Sequence, residues 1–166
     1  MSRIFQLNYD EELVPLDDSA DLAVTAPATA YDAKGLLKSA VRDDNPVMIF
    51  EHKLLYGSKG PRTEKGALSP VGEVPDEAYR IPFGEAALVR EGEHVTVVAL
   101  ARMVPFAEKA IDALAEDGIT CDLIDPRTIK PLDIDSITAS VRRTGRLLVV
   151  DHDFPFGGFG AEVVAQ

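Results

Sequence analysis

The residues able to do chemistry are few, and most sit at the ends of apolar runs. Asp151-His152-Asp153 follows Leu147-Leu148-Val149-Val150, which reads as a buried strand. Such a position is the carboxyl edge of a parallel sheet, where α/β proteins gather their sites. Carboxylates beside an imidazole favour its charged form, which would suit acid–base work. Neighbours along a strand point to opposite faces, however, so packing at a surface or interface is the plainer reading. Gly157-Gly158-Phe159-Gly160 comes next and leads into a short helical stretch from Ala161 to Gln166. Glycines between a strand and a helix can cradle a phosphate through free N–H groups and the helix dipole. This spacing matches neither G-x-G-x-x-G nor a P-loop, and a tight backbone turn accounts for it as well.

His52, beside Glu51, ends a second apolar run and could reach a ligand or a partner subunit, or simply form a polar rim. His94 lies beside Glu91, Gly92 and Glu93 and reads as exposed. Cys121 falls inside a strand pattern, where a structural thiol is the default. A single cysteine forms no internal disulfide, and no Cys/His spacing of a metal site occurs. No G-x-S-x-G is present. Asp43 and Asp44 close a helix and can be solvated residues. Alternatively they and the last helical carbonyls, which lack partners, could hold a hard cation such as potassium.

These residues need elements to position them. Thr29 and Asp32 form a T-x-x-D capping pattern at a helix start. Ala33, Leu36, Leu37, Ala40 and Val41 make one apolar stripe, with Lys34, Lys38 and Arg42 left in water. Asn45-Pro46 is expected to end that helix, because proline pushes its predecessor out of the α region. Leu22-Ala23-Val24 and Val47 to Phe50 read as strands on either side, the second covered on both faces, giving a βαβ unit. Lys53 to Tyr79 has no period of either kind and reads as a long loop, the mark of a domain boundary or a functional segment.

A second set of elements starts at Arg80. Ala86 to Val89 is an edge strand after Pro82, and Val95 to Leu100 a buried strand. Phe106, Ala107, Ala110, Ile111 and Leu114 fall at helical spacing before Asp117-Gly118. Ile119 to Ile124 is a strand, and Asp125-Pro126-Arg127 turns the chain out. Asp133 caps a helix with Ile134, Ile137 and Val141 inward, ended by Thr144-Gly145. Alternating strands and helices predict a parallel, right-handed α/β sheet. Residues 1–20 are poorly patterned and acidic, and read as a loose arm or an edge segment.

Composition limits the partners. The 166 residues carry a net charge of −11 and a pI near 4.6, which disfavours nucleic acid and anionic membrane surfaces. No apolar run is long enough to span a bilayer, and no basic segment precedes an apolar one at the N-terminus. The expected setting is cytoplasmic.

Four segments taken together carry a resemblance: TAYDAKGLLKSAVRDDNPVMIFEHKLLY, VPDEAYRIPFGEAALVREGEHVTVVAL, DLIDPRTIKPLDIDSITASVRRTGRLLVV and GGFGAEVVA. They resemble, in this order, the beta subunit of the thiamine-diphosphate-dependent 2-oxo acid dehydrogenases that act on pyruvate, branched-chain 2-oxo acids or acetoin. The DPRTIKPLD stretch is the most specific. The resemblance implies the end of a pyrimidine-binding domain over residues 21–55, a linker loop over 56–79, and a Rossmann-like transketolase C-terminal domain over 80–166. It implies an enzyme that decarboxylates a 2-oxo acid on thiamine diphosphate with magnesium and acylates lipoyl-lysine, the cofactor supplying the carbanion chemistry. The partners implied are an alpha subunit and the acyltransferase core. A potassium site is implied at Ala40, Val41, Asp43 and Asn45.

The family's activating glutamate and catalytic histidine lie in a half of the beta subunit with no counterpart among these residues. Magnesium and diphosphate are held by the alpha subunit. The expectation is therefore a fragment or truncated homologue with no catalytic or thiamine-binding residues, inactive alone and prone to homo- or hetero-oligomerise. The EHKLLYGSKG segment points to pyruvate or acetoin, with branched-chain acids behind. The alternatives are a free-standing α/β assembly or regulatory module, and a relative of transketolase or deoxyxylulose-phosphate synthase.

Overall fold

The computed structural model describes residues 5–7, 13–15, 22–56, 73–154 and 156–166. Two short antiparallel strands, β1 (Phe5–Leu7) and β2 (Leu13–Pro15), fall in the stretch expected to be an arm or edge. The βαβ unit follows as β3 (Ala23–Thr25), α1 (Ala30–Ala40) and β4 (Val47–Ile49), with β3 and β4 parallel. The Thr29 hydroxyl oxygen accepts from the Asp32 N–H at 3.0 Å, so the T-x-x-D pattern caps α1. A single 3-10 turn, Lys53–Leu55, opens the connection to the second set of elements.

That set comprises β5 (Ala87–Arg90), β6 (Val95–Ala99), α2 (Met103–Glu116), β7 (Cys121–Asp125), β8 (Thr128–Lys130), α3 (Ile134–Thr144), β9 (Leu147–Val150) and α4 (Phe159–Ala165). Four strands form a sheet in the order β5-β7-β6-β9. β7, β6 and β9 are parallel, and the edge strand β5 is antiparallel to β7. On one face Val104, Ala107 and Ile111 of α2 pack on Val97, Ala99, Cys121 and Leu123. On the other, Ile137 of α3 and Val163 of α4 pack on Val98 and Ile124. Burying each aliphatic side chain of that size stabilises the fold by roughly 1.5–3 kcal/mol. Asp133 caps α3 by accepting from the Ser136 N–H at 3.0 Å, and Gly145 closes it at φ 71°.

A buried polar layer ties α3 to this sheet. Thr96 on β6 shares hydrogen bonds with Ser140 at 2.7 Å and Thr144 at 2.8 Å. Asp122 on β7, fully buried, accepts from Ser140 and Arg143, and from the Gly92 N–H at 2.9 Å. Gly92 lies so close to β7 that a Cβ there would sit 2.2 Å from the Cys121 nitrogen.

Several expectations need correction. Residues 128–130, read only as chain leaving a turn, form β8, which pairs antiparallel with β3 and makes a β4-β3-β8 sheet. The second set of elements therefore joins the first through main-chain bonds, and the sheets are mixed rather than wholly parallel. α1 ends at Ala40 with a turn at Val41, well before Asn45-Pro46, so proline does not terminate it. The apolar stripe is only partly buried: Leu36 is in the core, but Val41 is 75% exposed. The run from Val47 to Phe50 is not covered on both faces, with Met48 of β4 44% and Phe50 just beyond it 54% exposed, and on β9 Leu148 is 53% exposed. Lys34 lies off the stripe, half-exposed, and donates to the carbonyls of Pro75 and Glu77.

Those last bonds belong to a strap that runs back along α1. Tyr79 stacks on Tyr31 at 4.4 Å and donates to its carbonyl at 2.8 Å. Ser39 donates to the Ile81 carbonyl at 2.6 Å, and Ile81 packs directly over Gly35. This strap falls within and just after the stretch read as a loop; residues 57–72 of that loop lie outside the described residues.

Candidate functional site at the carboxyl edge of the sheet

β6 runs into α2 on one face of the sheet, and its neighbour β9 runs into α4 on the other. The connections diverge, the arrangement that in open α/β sheets places a ligand crevice at the carboxyl ends of the strands. Leu100-Ala101-Arg102 follows β6 there and Asp151-His152-Asp153 follows β9. His52 reaches the same place from the βαβ unit, its ring centroid 6.0 Å from that of His152 with the planes at 46°. The two histidines were separate candidates in the sequence; the fold makes them a pair.

The flanking acids do not serve the His152 ring. Asp151 accepts from the backbone N–H groups of His152 at 2.7 Å and Asp153 at 3.3 Å, and its second oxygen accepts from the Gly160 N–H at 3.1 Å. Asp153 accepts from the Phe154 N–H at 2.8 Å. Gly157 lies in a turn and Gly158 caps α4, which already includes Phe159 and Gly160, so the Asp151 carboxylate occupies an N–H of the first helical turn. His52 accepts from the Leu54 N–H through Nδ1 at 3.2 Å. Its pKa is held below the usual histidine value, first by partial burial and then by the charges of Arg102 and His152, against a backbone hydrogen bond that raises it. Arg102 carries no side-chain cap for α2 and lies 5.1 Å from the Phe106 ring centroid.

His94 is exposed and accepts from the Thr120 N–H at 3.1 Å, on the opposite edge of the sheet. Cys121 is buried, and burial, with Asp122 beside it, pushes its thiol up, as suits a structural residue.

The residues expected to hold potassium lie at the exposed end of α1. Asp43 donates its N–H to the Ala40 carbonyl at 3.3 Å and accepts from both the N–H and the Nδ2 of Asn45, at 2.9 and 3.2 Å. Ala40, Val41, Asp43 and Asn45 therefore gather in one turn. Their oxygens are of the hard type that suits an alkali cation.

A second cluster escaped the sequence reading. Asp32 of α1, Asp125 at the end of β7 and Arg127 between β7 and β8 converge where the two sets of elements meet. Arg127 Nε lies 2.8 Å from Asp32 Oδ1, and both side chains are largely buried. Asp125 accepts from the Arg127 N–H at 2.9 Å, and burial, opposed by that bond, raises its pKa from 3.8 to about 7. Arg127 adopts φ 61°, which no sequence pattern announces. The only available signal was an arginine flanked by Asp125 and an adjacent strand-forming pair.

The model of the transketolase C-terminal domain matches residues 84–166, and that of the transketolase pyrimidine-binding domain matches residues 11–59. The chain belongs to the transketolase C-terminal domain family, with pyrimidine-domain sequence ahead of it. It is 46% identical over 145 residues to the pyruvate dehydrogenase E1 component subunit beta-1, mitochondrial, of Arabidopsis thaliana, covering 87% of this chain and 38% of that one. It is 45% identical over 145 residues to the acetoin:2,6-dichlorophenolindophenol oxidoreductase subunit beta of Cupriavidus necator, covering 87% and 39%. Among solved structures, a split-gene transketolase described as an inactive beta4 tetramer superposes with TM-score 0.68 at 27% identity, over 87% of this chain and 43% of that one. The chain thus spans about two fifths of the length of the curated relatives it matches.

Proposed function

We propose that this chain is part of the beta subunit of a thiamine-diphosphate-dependent 2-oxo acid dehydrogenase, with pyruvate or acetoin as substrate. The identity of about 45% to two such beta subunits, over nearly the whole of this chain, carries the reading. The assembled enzyme would decarboxylate its substrate on thiamine diphosphate and pass the acyl group to lipoyl-lysine, with an alpha subunit and the acyltransferase core as partners. The domain division suggested by the sequence, 21–55, 56–79 and 80–166, is proposed with it, as is a cytoplasmic setting. No helix among the described residues is long and apolar enough to cross a membrane.

Thiamine diphosphate and magnesium would be held by other parts of the assembly. Among the described residues no three His, Cys, Asp or Glu side chains gather into a group that could hold magnesium. The role proposed for this chain is structural: its sheet and α1 would hold neighbouring subunits in register. Ala40, Val41, Asp43 and Asn45 would hold a potassium ion there, a role supported by their shared turn and their oxygen donors.

Coexpression with a pyruvate dehydrogenase alpha subunit tests this, read by size-exclusion chromatography with light scattering. A complex is expected, together with no thiamine diphosphate heat by calorimetry for the chain alone with magnesium and potassium. A chain that elutes alone, or that binds the cofactor saturably without a partner, contradicts the reading. A non-catalytic self-assembly module is the second reading, favoured by the likeness to a protein described as an inactive tetramer. It predicts a homo-oligomer that the alpha subunit leaves intact.

A further inference from the structure

We propose that the crevice between the ends of β6 and β9 binds the phosphate group of a small diffusible ligand, held by Arg102, His152 and His52. The proposal does not rest on the dehydrogenase reading.

Topology provides the opening. Adjacent strands of an open α/β sheet whose connections leave to opposite faces form a crevice at their carboxyl ends, and ligands bind there. β6 and β9 are such a pair. Arg102 follows β6 and His152 follows β9, and His52 faces His152 with ring centroids 6.0 Å apart.

Chemistry selects the ligand. Arg102 and His152 follow the adjacent ends of β6 and β9, and His52 lies against His152, so three basic groups from three separate segments are brought to one edge of the sheet in a protein whose net charge is −11. The two carboxylates that flank His152 are turned to backbone amides rather than to its ring. Both oxygens of Asp151 accept backbone N–H groups, and Asp153 accepts from Phe154. With Nδ1 of His52 accepting from Leu54, its neutral ring carries the proton on Nε2 and presents a donor. α2 begins beside Arg102 with no side-chain cap and no acid in its first turn, which adds positive potential. Ala101, between β6 and α2, holds φ 49°, a conformation uncommon for a residue with a Cβ and one that clusters at functional sites.

A metal ion would suit two imidazoles but is repelled by the guanidinium. A planar carboxylate satisfies a guanidinium fork in one plane. Donors approaching from three elements match a tetrahedral dianion better. A bound dianion would oppose the lowering of His52, which comes first from partial burial and then from the charges of Arg102 and His152.

The test is histidine-detected NMR on the full chain, titrated with inorganic phosphate at constant ionic strength, with acetate and zinc in parallel arms. The three histidines provide an internal control. Phosphate is expected to shift His52 and His152 saturably and raise the pKa of His52, leaving His94 in place. Arg102→Gln should weaken the effect about tenfold, the loss of one charge-assisted contact. His152→Asn, at an exposed position, should weaken it without disturbing the fold. Silent His52 and His152 signals, equal drift of all three histidines, or a response to acetate or zinc matching or exceeding that to phosphate would each overturn the proposal.

Discussion

Arg127 Nε sits 2.8 Å from Asp32 Oδ1, joining the loop after β7 to the first turn of α1 with little solvent at either side chain. The Thr29 hydroxyl donates to the second Asp32 oxygen at 2.5 Å, so one carboxylate both belongs to the α1 cap and anchors the neighbouring set of elements. Next to it, the Ala26 N–H donates to the Arg127 carbonyl at 2.9 Å. Side-chain charge and main-chain pairing thus act at the same junction.

Breaking this pair should be costly because it strands a buried charge. Arg127→Met is expected to destabilise the chain by about 3 kcal/mol in urea denaturation, since removing one partner of a buried ion pair leaves the other unpaired. Asp32→Asn combined with Arg127→Met should recover part of the loss. Additive destabilisation by the two changes would show that the residues act independently.

Asp125 gives the junction a pH dependence of defined sign. Its carboxyl is raised to about 7 in the fold from 3.8. Between these values the folded chain binds a proton that the unfolded chain releases. The contribution of Asp125 is therefore complete below about 3.8 and is lost as pH rises towards 7. Denaturant midpoints measured from pH 5 to 8 should show this falling component in the native chain, and Asp125→Asn should remove it.

Asp133 has the opposite sign. Burial pulls its pKa up, but hydrogen bonds from the N–H groups of Ala86 and Ser136 and from the Ser136 hydroxyl outweigh that and hold it below 3.8. Its contribution is present above the ordinary carboxylate pKa and is lost as pH falls through the lowered value. Asp133→Ala removes both the α3 cap and the Ala86 contact, with an expected cost of about 1–2 kcal/mol by thermal denaturation at neutral pH. An Asp133→Ala chain as stable as the native one would deny the cap its role.

The strap over α1 depends on the lack of a side chain at Gly35. A Cβ there would sit 2.6 Å from Ile81 Cγ1. Gly35→Ala should push Ile81 off the helix, costing about 1–3 kcal/mol as overpacking does. Hydrogen exchange at the Ile81 amide, which donates to the Gly35 carbonyl at 3.3 Å, should accelerate. Unchanged protection would mean that the strap is held elsewhere.

Much of this architecture was legible because local chemistry dictated it. Thr29 and Asp133 announce helix starts through side-chain oxygens, and Gly118 and Gly145 announce ends through positive φ. Val95 to Leu100 reads as a buried strand from its apolar run alone, and Val95–Ala99 of it is one. The errors arose where packing decides. Val47 to Phe50 has the composition of a strand covered on both faces, yet composition does not say which neighbours cover it. Thr128–Lys130 is too short to show a period, and only its pairing with β3 makes it a strand.

The sequence by itself determined the alternation of strands and helices, the capped ends of α1 and α3, and the family, since caps, apolar periods and the DPRTIKPLD stretch act over a few neighbouring residues. Tertiary structure alone decided that Asp32 meets Arg127, that His52 faces His152, and that Asp151 serves backbone amides rather than the imidazole beside it. The physical reason is range. A cap or a turn is satisfied within one turn of chain, whereas these side-chain meetings are fixed by strand pairing and by which face of the sheet each connection takes.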